Sequence, residues 1–576
     1  MAKQRRHSDV TVNGVAVEAP SATLETLPGT PLLDLPPPLM DDIASRATLL
    51  DAGEALSVTC RAFSKTNLLH APALRIQLDS QRCDQFLTPR VVAALQARTC
   101  KLVLTLEQQR AQSSRQYTRL LTEVLKKLAS CVAVEACKLG TAQGPSLHPH
   151  KPLGCSPDLA QHLMVSFPSL TSLSLHNCAI PCSGLSSLLS HPRLSLQLQQ
   201  LDLSSTNILQ AKRPEPGAAT LATLFHASRL KQLSLLIDNR AEGENKPLLP
   251  NLQPLSQHLT QLRIQQREGV VWGLDEFTAA LQPLAQLQVL TISSLYHLQG
   301  LAGLLQALPQ LHTLQLPHAA IRGEEQLDIL LAATQLTSIQ LSSSQDLGSS
   351  RADVPCSWKR LELTGYVDCS SAAHLPLRSL THPLVLGELF ISPDEDDDCN
   401  LVAAAVHNLT QACSVPVRIK VLRLSMFVMP DSPAMSAQHQ VELKQLVAAL
   451  QALKHCSWGI VSVAHMDMGA ADVATLAPLC QGCTQLEFSD GSLTPSLEFW
   501  HQLVQHMPTV THLTFTDADG SASAAMCESL QLMTQQPWAR WLDICISRPS
   551  GSYRLPACWR ASPLSHPGKL RVWFTS

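Results

Sequence analysis

Cys480 and Cys483 are spaced C-x-x-C, at which two thiolates can share one metal ion. A structural zinc site needs four ligands, and no second pair stands at a matching distance. Cys483 also falls on a position of a recurring leucine pattern where a small apolar side chain packs. Core packing is therefore the expected role of the pair. His176, Cys178 and Cys182 lie close together as well, but Cys178 falls where a repeat of this kind buries a small polar group. The run Asp394-Glu395-Asp396-Asp397-Asp398 offers carboxylates without the alternation or the glycine of a calcium loop, so a solvated loop is expected. The sequence contains no G-x-S-x-G nucleophile turn and no phosphate-cradling glycine loop. The expectation is a non-enzyme with no metal and no cofactor.

The elements around these residues repeat. From Leu287 to Ile321 the chain reads LQVLTISSLYHLQGLAGLLQALPQLHTLQLPHAAI. Leu287, Leu290 and Ile292 are spaced L-x-x-L-x-L; Leu298, Leu301, Leu304, Leu305 and Leu308 follow at helical spacing; Leu311, Leu314 and Leu316 restore the first pattern. That is a strand, a helix and the next strand. Neither element can bury its apolar side alone, so each needs a copy of itself as neighbour. Fourteen such patterns run from Leu170-Leu173-Leu175 to Ala539-Leu542-Ile544, 22 to 39 residues apart, too many for coincidence even in a leucine-rich chain. Less regular copies precede them. Leu74, Ile76 and Leu78 form one strand, and Leu102, Leu104 and Leu106 a second. Val132 with Val134 is read as a third, because Ile76, Leu104 and Val132 lie 28 residues apart. Thr88-Pro89 and Ser156-Pro157 look like helix starts. The fold class expected is an α/β leucine-rich-repeat solenoid, with a parallel sheet on its concave face and helices on its convex face. The Asn or Cys due three residues after the last leucine is Cys178 in one copy, then Thr206, Asp238, Arg267 and Leu295, so no regular buried amide ladder is expected. A break or irregularity is expected between about residues 365 and 460.

The domains read from this pattern are a disordered polar arm over 1–30, a helical segment over 31–70, degenerate first repeats over 71–156, the repeat array over 157–550, and a C-terminal cap over 551–576. In the cap, Leu570, Val572 and Phe574 alternate as a strand does. Charged residues make up 15% of the chain and net charge is −3, which gives no global steering toward nucleic acid or an anionic membrane. No apolar run reaches the ~18 residues of a membrane span, and the N-terminus lacks the apolar core of a signal peptide. The 18 cysteines are scattered rather than clustered in a framework, which suggests reduced thiols and a cytosolic or nuclear location.

The helical segment is the most informative for function. Leu39, Ile43 and Ala47 share one helical face, and Ala55, Val58 and Ala62 with Cys60 and Phe63 mark a second helix after Asp51-Ala52-Gly53. So short a segment must dock on a partner or on the repeats. It resembles an F-box over about 35 residues. The matches are Leu35-Pro36, Leu39, Ile43, Arg46, Leu56-Ser57, Cys60-Arg61 and Phe63; the departures are Pro37 and Pro38 for acidic residues, Ala47 for Leu and Phe63 for Trp. The resemblance to F-box proteins with ribonuclease-inhibitor-like leucine-rich repeats implies a Skp-type adaptor and a cullin ubiquitin ligase as partners. The adaptor would be held by Leu35, Pro36, Leu39, Ile43, Val58, Cys60 and Phe63, while the repeats recruit a target protein. The alternative is a helical cap on a repeat scaffold without ligase function, for example in a cytoskeletal assembly.

Residues beside the template leucines project from the concave sheet. They are mostly uncharged and polar, with few aromatic anchors. The cations among and beside them are Lys231, Arg263, Arg360 and Arg423, with Lys359 and Lys420. They suggest a target that presents acidic or phosphorylated groups, which Arg holds bidentately.

Overall fold

The computed structural model describes residues 73–78, 87–99, 101–108, 114–141, 157–209, 225, 229–237, 249–266, 274–293, 295–345, 347, 351, 353–391, 399–425, 441, 443–448, 450–451, 457–464, 469–489, 497–516, 542–547, 565–566 and 570–575. Contacts group the chain into two compact units: residues 1–236 with 249–259, and residues 237–248 with 260–576.

In the first unit, strands β1 (Ala73–Leu78), β2 (Leu102–Gln108), β3 (Val134–Thr141), β4 (Ser172–His176), β6 (Gln200–Leu203) and β8 (Gln232–Ile237) pair in that order, all parallel. Short β5 (Ala179–Pro181) and β7 (Asn207–Leu209) pair separately, also parallel. Leu173, Leu201 and Leu233 stand directly beside one another in the ladder. The helices are α1 (Pro89–Gln96), α2 (Ser114–Lys127), α3 (Pro157–Ser166), α4 (Cys182–Leu189) and α5 (Pro192–Gln197). Thr88-Pro89 and Pro157 lie at helix starts, while a third expected start, Thr494-Pro495, falls outside the described residues. Thr88 caps α1, its hydroxyl accepting from the Val91 N–H at 3.4 Å, and Pro157 opens α3.

In the second unit, β9 (Gln261–Gln266), β10 (Val289–Ile292), β11 (Thr313–Leu316), β13 (Ser338–Leu341), β15 (Arg360–Asp368), β16 (Leu384–Ile391), β17 (Val417–Ser425), β18 (Ser457–Ala464), β19 (Gln485–Ser489), β20 (His512–Thr516), β21 (Leu542–Ser547) and β23 (Leu570–Thr575) pair in sequence, all parallel. Short β12 (Ile321–Arg322) and β14 (Ser344–Gln345) pair beside them, and β22 (Ser565–His566) runs antiparallel to β23. Helices among the described residues include α6 (Leu274–Leu281), α7 (Leu301–Ala307), α8 (Glu324–Ala332), α9 (Cys369–Ala373), α10 (Cys399–Ala412), α11 (Ala470–Leu476) and α12 (Leu497–His506).

A parallel sheet ordinarily carries helices on both faces, and its strands are then apolar throughout. Here β8, β10, β11 and β13 alternate strictly between half-buried and buried residues, so only one face is covered. The covered face is a leucine ladder, Leu262, Leu290, Leu314, Ile339 and Leu361 in register, all buried. Each such side chain contributes roughly 1.5–3 kcal/mol by leaving water. Strand, helix and return in a single layer, repeated with a leucine ladder, is the leucine-rich-repeat architecture expected, in each unit.

Two expectations need correction, and a third, of a break or irregularity between 365 and 460, holds as an irregularity. Val132 is exposed rather than a strand residue; β3 begins at Val134, and Leu104 stands beside Cys137, so the early repeat is longer than 28 residues. The last copy is displaced by two residues, since Leu513 pairs with Ile544 and not with Leu542. The sheet does not break between 365 and 460. It is continuous from β15 to β18, but it slips: Leu363 stands beside Leu386 and Val367 beside Leu389, with a bulge between Leu363 and Tyr366. At Cys178 and Thr206, two described positions of the series due for Asn or Cys, no side-chain amide stands. In its place, Thr206 donates its hydroxyl to the Leu175 carbonyl and lies 3.7 Å from the Cys178 sulfur. The equivalent position after β11 is buried Ala319.

Candidate protein-interaction surface

The residues between the ladder leucines stand on the open face of the sheet. From β15 to β20, strand register lines them up in two rows. One row is Tyr366, Glu388, Val421, Ile460, Gln485 and His512. The next is Asp368, Phe390, Arg423, Ser462, Glu487 and Thr514. The bulge in β15 creates the start of both rows. Gly387 lies opposite it with its α-carbon against the Thr364 carbonyl, so close that a Cβ there would overlap the oxygen. The extra residue carries β15 past its leucines and turns Tyr366 outward beside Glu388, the kind of re-aiming a bulge produces.

The charges here are mutually engaged. Glu362 receives both Lys420 at 2.9 Å and Arg360 at 3.7 Å. Arg423 Nε lies 2.7 Å from Glu388 Oε1, without the alignment of a hydrogen bond, and its guanidinium stands 5.8 Å from the centre of the Tyr366 ring. Tyr366 and Phe390 meet edge to face at 6.4 Å. Burial holds the Glu388 carboxyl above the usual glutamate range; Arg423 opposes that shift and the negative Glu487 adds to it. Glu487 accepts a hydrogen bond from the Gln485 amide at 2.8 Å, and no described cation lies within ion-pair distance of it.

The residues singled out by sequence are spread across the chain. Leu35, Pro36, Leu39, Ile43, Val58, Cys60 and Phe63 lie outside the described residues, as does the acidic run 394–398. Lys231 is exposed in the first unit; Arg263 and Arg360 are exposed and Arg423 half-buried in the second. Arg423 faces Glu388, while Arg360 and Lys420 share the one carboxylate of Glu362. Cys480 and Cys483 are both buried, as packing requires. The neighbouring Cys483 thiol and burial push the Cys480 thiol up, and Cys483 donates to the Gln485 carbonyl at 3.3 Å. Cys178 is buried against Thr206, and its thiol is pushed up to about 11 by burial. His176 Nε2 lies 3.8 Å from Glu107 Oε1 on a different strand. Among the described residues no three His, Cys, Asp or Glu side chains converge as metal ligands would. No described helix is long and apolar enough to cross a membrane.

Sequence reasoning missed Tyr366 and Phe390. Tyr366 lies beyond the template Trp358-Leu361-Leu363, and Phe390 lies between Leu389 and Ile391 of the next copy. The readable signal was the segment Thr364-Gly365-Tyr366-Val367-Asp368: it continues period two with a glycine where a bulge fits.

No protein-family model matches the sequence, and neither does any curated protein. Among solved structures, a leucine-rich-repeat protein of Leptospira interrogans is similar at 14% identity, over 78% of this chain and 97% of that one, with a TM-score of 0.32.

Proposed function

We propose that the chain is a non-catalytic recruiting protein: the repeats bind a target protein, and segment 31–70 binds a Skp-type adaptor, bringing the target to a cullin ubiquitin ligase. The observation that carries the first half is the open sheet face. Rows of side chains lie in register on the ladder, most of them half-buried or exposed and two of them aromatic, with Ser462 buried among them. Such a surface suits protein recognition, in which aromatic side chains dominate the energy. The second half rests on the spacing Leu35-Pro36, Leu39, Ile43, Cys60-Arg61 and Phe63 ahead of leucine-rich repeats. In that mechanism the chain makes and breaks no bond; it raises the target's effective concentration at the ligase.

Adaptor capture tests the ligase half. Leu39→Asp or Ile43→Asp puts a charge into an apolar contact, at a cost on the order of several kcal/mol if that contact is desolvated. We expect purified adaptor to be captured by the full chain and lost in either variant, with the thermal unfolding of the repeats unchanged. An adaptor that never binds the unmodified chain removes the ligase half and leaves a repeat scaffold.

A further inference from the structure

Exposed large apolar residues are scattered singly over most of the described surface, as on any protein. Tyr366 and Phe390 are different. They are 60% and 36% exposed, they touch, and they stand on adjacent strands of the same open face. Val421 and Ile460, both half-buried, continue the apolar surface across β17 and β18. A partner laid here would remove two aromatic rings and two branched side chains from water.

The charge around this surface decides what the partner carries. Arg423 stands against Glu388, while Glu487, in the same row as Arg423, accepts a hydrogen bond from Gln485 and has no described cation within ion-pair distance. Arg423 also shows how a cation is received here. Its guanidinium stands over Tyr366 while its Nε meets a carboxylate.

We propose that the open face of β15–β19 binds a polypeptide segment in which a Lys or Arg stands next to aliphatic or aromatic residues, the basic group meeting Glu487 and Glu388 and the apolar ones covering Tyr366 and Phe390. The proposal deepens the reading of the repeats as a target-binding surface and rests on it. It takes the opposite charge from the acidic target that Arg360 and Arg423 suggested, because Arg423 stands against Glu388 whereas Glu487 has no described cation within ion-pair distance.

The test uses the full chain and three labelled ten-residue peptides, alternating Leu with Arg, Ser with Arg, and Leu with Glu, followed by fluorescence anisotropy. The Leu–Arg peptide is expected to bind, the Ser–Arg peptide to bind at least tenfold more weakly, and the Leu–Glu peptide not to bind. Glu487→Gln keeps the size of a half-buried side chain and the double variant Tyr366→Ala/Phe390→Ala trims exposed ones, and each should weaken Leu–Arg binding about fivefold or more. Unchanged binding in both variants, a preference for Leu–Glu, or no binding of Leu–Arg each overturns the proposal. Adaptor capture is independent of this face, so a failure here leaves the ligase half as it stood.

Discussion

Glu388 sits on the open face beside Tyr366, yet its side chain is only 18% exposed. Burial holds its carboxyl above the usual range, so the folded state keeps the proton longer than the unfolded chain does. Where the folded state binds more protons, stability falls as pH rises. The loss should therefore begin near the usual value of 4.5, grow as pH climbs through the raised folded value, and level off above it. Glu388→Gln carries no titrating proton and should escape this loss. The urea midpoint of the variant is expected to gain on the unmodified protein from pH 4.5 upward and then stay at a constant offset. An offset that is flat across the whole range would mean that Arg423 fully compensates the burial. Composition and spacing identified Arg423 as a surface cation, but not the carboxylate it faces. Glu388 lies 35 residues earlier in the chain, and only strand register brings the two together.

At the scale of elements, the L-x-x-L-x-L pattern made nearly every strand legible, because period two with one apolar face has few other readings. The errors arose where leucines fit two frames. In Trp541-Leu542-Asp543-Ile544-Cys545-Ile546, apolar residues recur at every second position, and only pairing with Leu513 selects Ile544. Val132 satisfied a 28-residue count, but the Leu102 N–H bonds to the Ala133 carbonyl, and the ladder starts after Val132. The slip at β15 was legible only as irregularity, since a bulge is set by the close approach of two backbones. Gly387 is the residue that permits it. In Gly387→Ala the added methyl would meet the Thr364 carbonyl, and backbone gives way less readily than a side chain. We expect Gly387→Ala to cost about 1–3 kcal/mol in denaturant unfolding. If the bulge is the feature strained, peptide binding at Tyr366 should weaken as well. A stability equal to that of the unmodified protein would show that β15 and β16 can separate at this point without cost.

At the scale of the molecule, repeat counting expected one array running over 157–550, and it had no means of seeing where contacts thin out. Contact density depends on how neighbouring repeats meet, not on the leucine pattern within each. The contacts form two units, dividing near residues 237–260. In a repeat protein each copy is stabilised by its neighbours, so a defect is felt locally and fades with distance along the array. Leu201 in β6 and Leu290 in β10 are equivalent ladder positions, both buried, one in each unit. Truncation of a buried leucine to alanine costs roughly 2–5 kcal/mol. If the two units unfold separately, urea unfolding of the full chain should show two transitions. Leu201→Ala should lower the midpoint of one and Leu290→Ala that of the other, each leaving its counterpart in place. Assignment of the transitions follows from pulse proteolysis, in which fragments of the surviving unit persist between the two midpoints. A single transition moved equally by both variants would mean that the ladder transmits stability across residues 237–260. The chain would then behave as one cooperative array despite the division in its contacts.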